Sequence, residues 1–206
     1  MPYSIPLAKI SVNEYKTLLK GQNLLPSRQI LLQDIDARFS AIEAKGIGDL
    51  DALKKILSKP DKLAAFAEST GIPAEYLNIL RREMGSMEAK PVKISDFPGL
   101  DSALVVGMQN EGFKTDRDVF ESEKPLDWEL SCLSDLTRIN GVGAVAARLF
   151  YDAGYRSAEE IAQGNAKEML EKITAVNAEK KFYKASLGEK DMQFCIDAAA
   201  LLIKYT

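Results

Sequence analysis

Histidine is absent from all 206 residues, and with it go the commonest general base and the commonest metal ligand. Cysteine is confined to Cys132 and Cys195. Both sit inside apolar helical patterns and at no metal-ligand spacing, so buried free thiols in a reducing compartment are expected. No Gly-rich phosphate loop ending in Lys-Ser or Lys-Thr occurs. No segment approaches the roughly 20 apolar residues that a membrane span needs. The stretch from Met1 to Lys9 holds prolines but neither an apolar run nor a small-residue cleavage site. A soluble, cytoplasmic protein without a membrane partner is therefore expected. Carboxylates are plentiful, but they are scattered over helix faces and first turns, where solvation and dipole compensation account for them. With no nucleophile and base pair, no metal-binding residues and no cofactor loop, the expectation is a protein that is not an enzyme and needs no cofactor or metal.

What the chain does have is a recurring frame: a glycine, two spacers, a capping residue and an amphipathic helix. Gly46, Gly112 and Gly154 are followed by Ile47, Phe113 or Tyr155, then by Asp49, Thr115 or Ser157. Two copies carry a second glycine 13 positions upstream, Gly99 and Gly141, whereas the first copy has Gln33 there. A helix ended by a left-handed glycine, an apolar anchor and a new N-cap is the physical reading. Ser157 and Glu160 spell a capping box. Self-similarity of this kind predicts an all-α fold of tandem modules, a helical repeat array.

The spacing of apolar residues predicts a short helix from Val12 to Lys20, capped by Ser11 and stopped at Gly21. A longer helical pattern opens at Leu24 to Ser27 and runs to Lys45, carried by Ile30, Leu31, Ile35, Phe39 and Ile42. Further helices are expected to break at Pro60 and at Thr70 to Pro73. The stretch Gly85 to Val92 lacks periodicity and reads as a linker. A helix is expected near Trp128 to Ile139, with Trp128 in the core beside Leu126, Leu130 and Leu133. A last helix should span Lys190 to Lys204, its stripe made of Met192, Cys195, Ile196, Ala199, Leu202 and Ile203. The expected division is a lead with a short helix over 1–28, a first module with a degenerate hairpin over 29–88, a short middle module over 94–123, and a C-terminal module over 126–206.

Charge is uneven along the chain. Residues 1–93 carry 14 Lys and Arg against 11 Asp and Glu, residues 94–133 carry 3 against 9, and residues 134–206 carry 10 against 10. A polyanion would avoid the middle module.

The run Leu136 to Leu149 resembles the helix-hairpin-helix motif, with Leu136, Ile139, Gly141, Val142, Gly143 and Ala147 in the matching places. A sharp reversal of two helices calls for glycines at Gly141 and Gly143, Val142 as a plug between the helices and Ala147 for close approach. The resemblance implies a grip on the duplex DNA backbone without sequence readout, through amides at Gly143 and Ala144 at a helix N-terminus. Arg138 and Arg148 flank the turn, and Lys180, Lys181 and Lys184, interleaved with Phe182 and Tyr183, are further candidates for nucleic-acid contact. The sequence also departs from DNA-gripping hairpins. Ala144, Val145 and Ala146 follow the second glycine without a cation, Asp101 occupies the second-glycine place in the middle copy, and Gln33, Asp34, Ile35 and Asp36 occupy the first copy.

Taken whole, the chain resembles an uncharacterised bacterial family of tandem helix-hairpin-helix-like repeat proteins, classed as a domain of unknown function. The likeness rests on Leu24 to Arg28, Thr70-Gly71-Ile72, Tyr76-Leu77, Leu80 to Glu83, Asp96 to Gly99, and Asp135 through Tyr155. Two functions fit these observations. One is binding of nucleic-acid backbone through the Gly-Val-Gly hairpin; the other is a protein-interaction scaffold that docks a protein partner, with the hairpins purely structural.

Overall fold

The computed structural model describes residues 1–22 and 24–206, and among them it contains twelve α-helices, three short 3-10 helices and no strand. The chain forms two compact units, one of Pro6–Glu88 and one that joins Met1–Ile5 to Ala89–Thr206. The second unit is thus discontinuous in sequence.

In the unit Pro6–Glu88, α1 (Val12–Gly21) starts where the Ser11 side chain accepts the Glu14 amide. The sequence predicts one long helical pattern from Leu24 to Lys45, and the structure divides it. A 3-10 helix, Pro26–Leu32, is followed by Asp34 with φ of 49°, and α2 (Ile35–Glu43) begins only there. Aspartate is one of the few side chains that tolerate the left-handed region. The apolar spacing survives the break, because Leu31, Ile35, Phe39 and Ile42 are all buried. Next, α3 (Leu50–Leu57) is capped by Asp49, α4 (Pro60–Thr70) opens on its proline and ends at Gly71, and α5 (Ala74–Ser86) completes the unit. The core forms where α3 meets α4 and α5 and where α1 meets α2. Leu19, Phe39, Leu53, Leu57, Tyr76 and Leu80 are fully enclosed there, each contributing roughly 1.5–3 kcal/mol relative to exposure.

The second unit holds α6 (Ser102–Asn110), α7 (Asp116–Phe120), α8 (Trp128–Leu136), α9 (Ala144–Asp152), α10 (Ala158–Ala162), α11 (Ala166–Lys180) and α12 (Glu189–Tyr205). Helix α8 lies against α7 and α9, α9 against α11, and α12 against α10 and α11. Tyr3 and Ile5 of the N-terminal segment are buried in this unit. Cys132 and Cys195 are free and buried. Trp128, expected in the core, is instead 69% exposed. It is the first residue of α8, directly after the Asp127 N-cap, where a helix has no preceding turn to cover it. Ile203, expected in the α12 stripe, is also exposed, while Met192, Cys195, Ile196, Ala199 and Leu202 are buried.

The glycine frames correspond in three dimensions as well as in sequence. Gly46, Gly112 and Gly154 all have positive φ, and three residues after each, Asp49, Thr115 and Ser157 cap a helix with their side chains. The next amide is satisfied from outside that helix every time: Leu50 N–H donates to the Ile10 carbonyl at 3.1 Å, Asp116 N–H to the Val92 carbonyl at 2.9 Å, and Ala158 N–H to Asp135 Oδ2 at 2.7 Å. Upstream, Gly99 and Gly141 have positive φ, and Asp34 fills that role in the first frame, one position after Gln33. Among the described residues, no helix is long and apolar enough to cross a membrane.

Candidate functional site

The corner between α8 and α9 is built from the inside outward. Ile139 and Val142 are buried beneath it, and the Val142 amide closes the turn on the Ile139 carbonyl at 3.0 Å. Ala147 is fully buried, so its small side chain lets the two helices approach. The two glycines do different work. Gly141 has φ of 85°, which other L-residues adopt only with strain. Gly143 has φ of −94° and ψ of −177°, extended backbone open to any residue, and it is the N-cap of α9.

Gly143 matters through what it leaves out. It provides no side-chain cap, and no protein atom lies within 4 Å of the place a Cβ would take. Its carbonyl accepts the Ala147 amide at 2.9 Å, the first bond of the helix. The amides of Ala144, Val145 and Ala146 belong to the first turn, where a helix supplies no acceptor of its own and carries partial positive charge. The middle corner differs: Asp101 caps α6 itself, accepting the Ala103 amide at 2.9 Å. That carboxylate holds the position an incoming anion would need.

Neither arginine beside the corner is free. Arg138 is 2% exposed. Its Nε donates to the Tyr3 carbonyl at 3.1 Å, its Nη2 to the Pro2 carbonyl at 3.1 Å and to Thr206 Oγ1 at 3.3 Å, and its Nη1 pairs with Asp135. Its guanidinium also lies 4.0 Å from the centre of the Phe120 ring. Arg148 is half-buried, paired with Glu129 and, through Nε, with Asp152 at 3.0 Å. Burial alone would make Arg148 easier to deprotonate, but the Asp152 and Glu129 carboxylates outweigh it and hold the charge. Both cations are spent within the fold.

The lysines are placed otherwise. Lys180 ends α11, Lys181 is its left-handed C-cap, and Lys184 follows, all three exposed. Tyr183 between them lines the same cleft as Gly141, so the connector carrying these lysines runs beside the corner. Its course is fixed by Asn177, whose Nδ2 donates to the Tyr183 carbonyl at 2.8 Å and whose Oδ1 accepts the Tyr183 amide at 2.9 Å.

Two carboxylates that sequence reasoning missed hold this region together. Asp116 is fully buried and accepts from Tyr3 Oη at 2.7 Å, from the Val92 amide at 2.7 Å, from the Arg117 amide at 2.8 Å and from Thr137 Oγ1. Asp135 binds Arg138 through one oxygen and the Ala158 amide through the other. Neither carries a local signature, since Tyr3, Val92 and Thr137 for Asp116, and Ala158 for Asp135, are distant in sequence. The only available hint is that Asp135 sits immediately before the Leu136 to Leu149 motif.

This corner, with its flanking helices, lies inside a stretch that a family model also picks out. Residues 120–202 match the model of a domain of unknown function, DUF4332. No curated protein and no solved structure matches the chain. The DUF4332 stretch takes in the α8–α9 corner, the Lys180 to Lys184 connector and most of α12, and leaves the middle frame outside.

Proposed function

We propose that this protein is a nonenzymatic, tandem helix-hairpin-helix-like protein whose α8–α9 corner binds the nucleic-acid backbone without reading sequence. The observation that carries the reading is the bare N-cap at Gly143, which leaves the Ala144, Val145 and Ala146 amides without a side-chain cap and the place of a Gly143 Cβ open. Lys181 and Lys184 supply the long-range attraction that the internally paired arginines do not. Arg138 and Arg148 act as positioning residues, fixing the ends of the hairpin through Asp135, Glu129 and Asp152. The repeated glycine corners support the tandem description, and the self-capped Asp101 corner leaves one hairpin for the ligand.

Titration of labelled duplex DNA with the wild type and with Gly143→Asp tests the proposal. Aspartate at an N-cap suits the helix but sets a carboxylate where a phosphate oxygen would sit. Binding by the wild type and none by Gly143→Asp is expected; equal binding by both contradicts the assignment.

A second reading, a protein-interaction scaffold, is favoured by the exposure of Trp128 and Val106. Tryptophan is enriched where partners dock. Under that reading, Trp128→Ser abolishes capture of a protein partner and Gly143→Asp leaves it unchanged.

A further inference from the structure

A cleft of about 160 Å³ opens beside the hairpin corner, walled by Gly141, Phe150, Ile173, Tyr183, Phe194 and Cys195. An apolar space of about 150 Å³ holds a single benzene-sized ring. Its rim is aromatic. Phe194 projects from α12 with half its surface exposed, and its ring lies so close to Gly141 that a Cβ there would stand 2.9 Å from Phe194 Cε1. Tyr183 is partly exposed on the other wall, its main chain clamped by Asn177. An exposed phenylalanine in a helix whose other apolar residues are largely buried calls for a reason, and so does a connector ordered by a two-way amide clamp.

We propose that this cleft receives one unpaired nucleobase, stacked on Phe194 and Tyr183, so that the ligand of the corner is nucleic acid with a single-stranded end. The inference rests on the backbone-binding reading above and names its substrate class. Aromatic faces accept any base, each stacked base contributing roughly 1–3 kcal/mol, which suits a protein that does not read sequence. Charge agrees with that occupant. Lys181 and Lys184 bracket Tyr183 in sequence, where the phosphates on either side of a stacked base would run, while Lys180 pairs with Glu179 and lines a different cleft. The one carboxylate lining the cleft, Asp191, is engaged by the Gly188 amide at 2.8 Å. Burial pushes the Cys195 thiol up to about 12, so that wall stays neutral. A small apolar metabolite would fill the cleft but would gain nothing from the Lys181 and Lys184 charges that flank Tyr183 in sequence.

The test compares three labelled DNAs: a blunt duplex, the same duplex with a short single-stranded thymidine tail, and one whose tail is abasic. The thymidine tail is expected to tighten binding about tenfold over the blunt duplex. Phe194→Ala should remove that gain while leaving blunt-duplex affinity unchanged, and Phe194→Trp should keep it. The abasic tail should give no gain. Equal affinity for blunt and thymidine-tailed DNA, a gain that survives Phe194→Ala, or an equal gain from the abasic tail overturns this inference and leaves the corner's backbone grip standing. Absence of binding to all three overturns both.

Discussion

The Arg138 guanidinium donates to the main-chain carbonyl of Tyr3 at 3.1 Å, joining positions 135 residues apart in sequence. Through the same side chain the hairpin also holds Pro2 and Thr206, so Pro2, Tyr3 and Thr206 meet at one buried cation. A residue that looks like a phosphate contact is thereby an anchor for the N-terminal segment. Arg138→Leu should cost about 3–5 kcal/mol, because it leaves buried carbonyls and one oxygen of the Asp135 carboxylate without a donor. Chemical denaturation measures this directly, and a loss below about 1 kcal/mol would contradict the anchoring role.

Tyr3 reaches the same region by its other end, donating to Asp116 at 2.7 Å. Tyr3→Phe keeps the ring against Phe120 and removes one donor to a buried carboxylate. An expected loss of about 1.5–3 kcal/mol follows from hydrogen bonds to charged groups. Removing residues 1–5 should lower the thermal midpoint further than Tyr3→Phe does, and calorimetry of the two variants ranks them.

The two hairpin glycines should respond differently to substitution. Gly141→Ala forces a side chain into φ of 85° and drives its Cβ against Phe194, a cost of about 1–2 kcal/mol for the backbone alone. Gly143→Asp meets neither obstacle and installs a good N-cap, so its stability should match or exceed the wild type. Equal destabilisation by both variants would show that the corner is not the one described.

Burial raises the Cys195 thiol to about 12 from its ordinary 9.0, with Asp191 adding to the shift. The folded state therefore keeps a proton that the unfolded state releases, and its stabilising effect is complete below pH 9.0 and lost as pH rises toward about 12. In Cys195→Ala the stability should fall less steeply across that window, by up to about 1.4 kcal/mol per pH unit. Denaturation midpoints at a series of alkaline pH values check this, and parallel curves would refute it.

Much of the helical plan is legible in the sequence because it is local. Ser11, Asp49, Thr115 and Ser157 cap their helices as their spacing to the following apolar face requires, and Gly46, Gly112 and Gly154 turn the chain as only glycine does cheaply. The Asp34 break is hidden because the apolar period runs unaltered across it. Trp128 is misjudged because position one of a helix shares the period of the buried face without sharing its cover. Arg138 and Arg148 read as free cations because their partners at Tyr3, Thr206 and Glu129 come from other segments. Local chemistry writes the corners; long-range pairing decides which charges remain available.

The most direct test of the backbone grip at Gly143 is the salt dependence of duplex DNA affinity. With two or three phosphates neutralised, raising salt from roughly 50 to 200 mM should weaken wild-type binding about ten- to forty-fold. Lys181→Gln with Lys184→Gln should flatten that slope, whereas Arg148→Gln should leave it unchanged because its charge is paired internally. Affinity that ignores salt, or a slope set by Arg148 and not by the two lysines, would contradict the account.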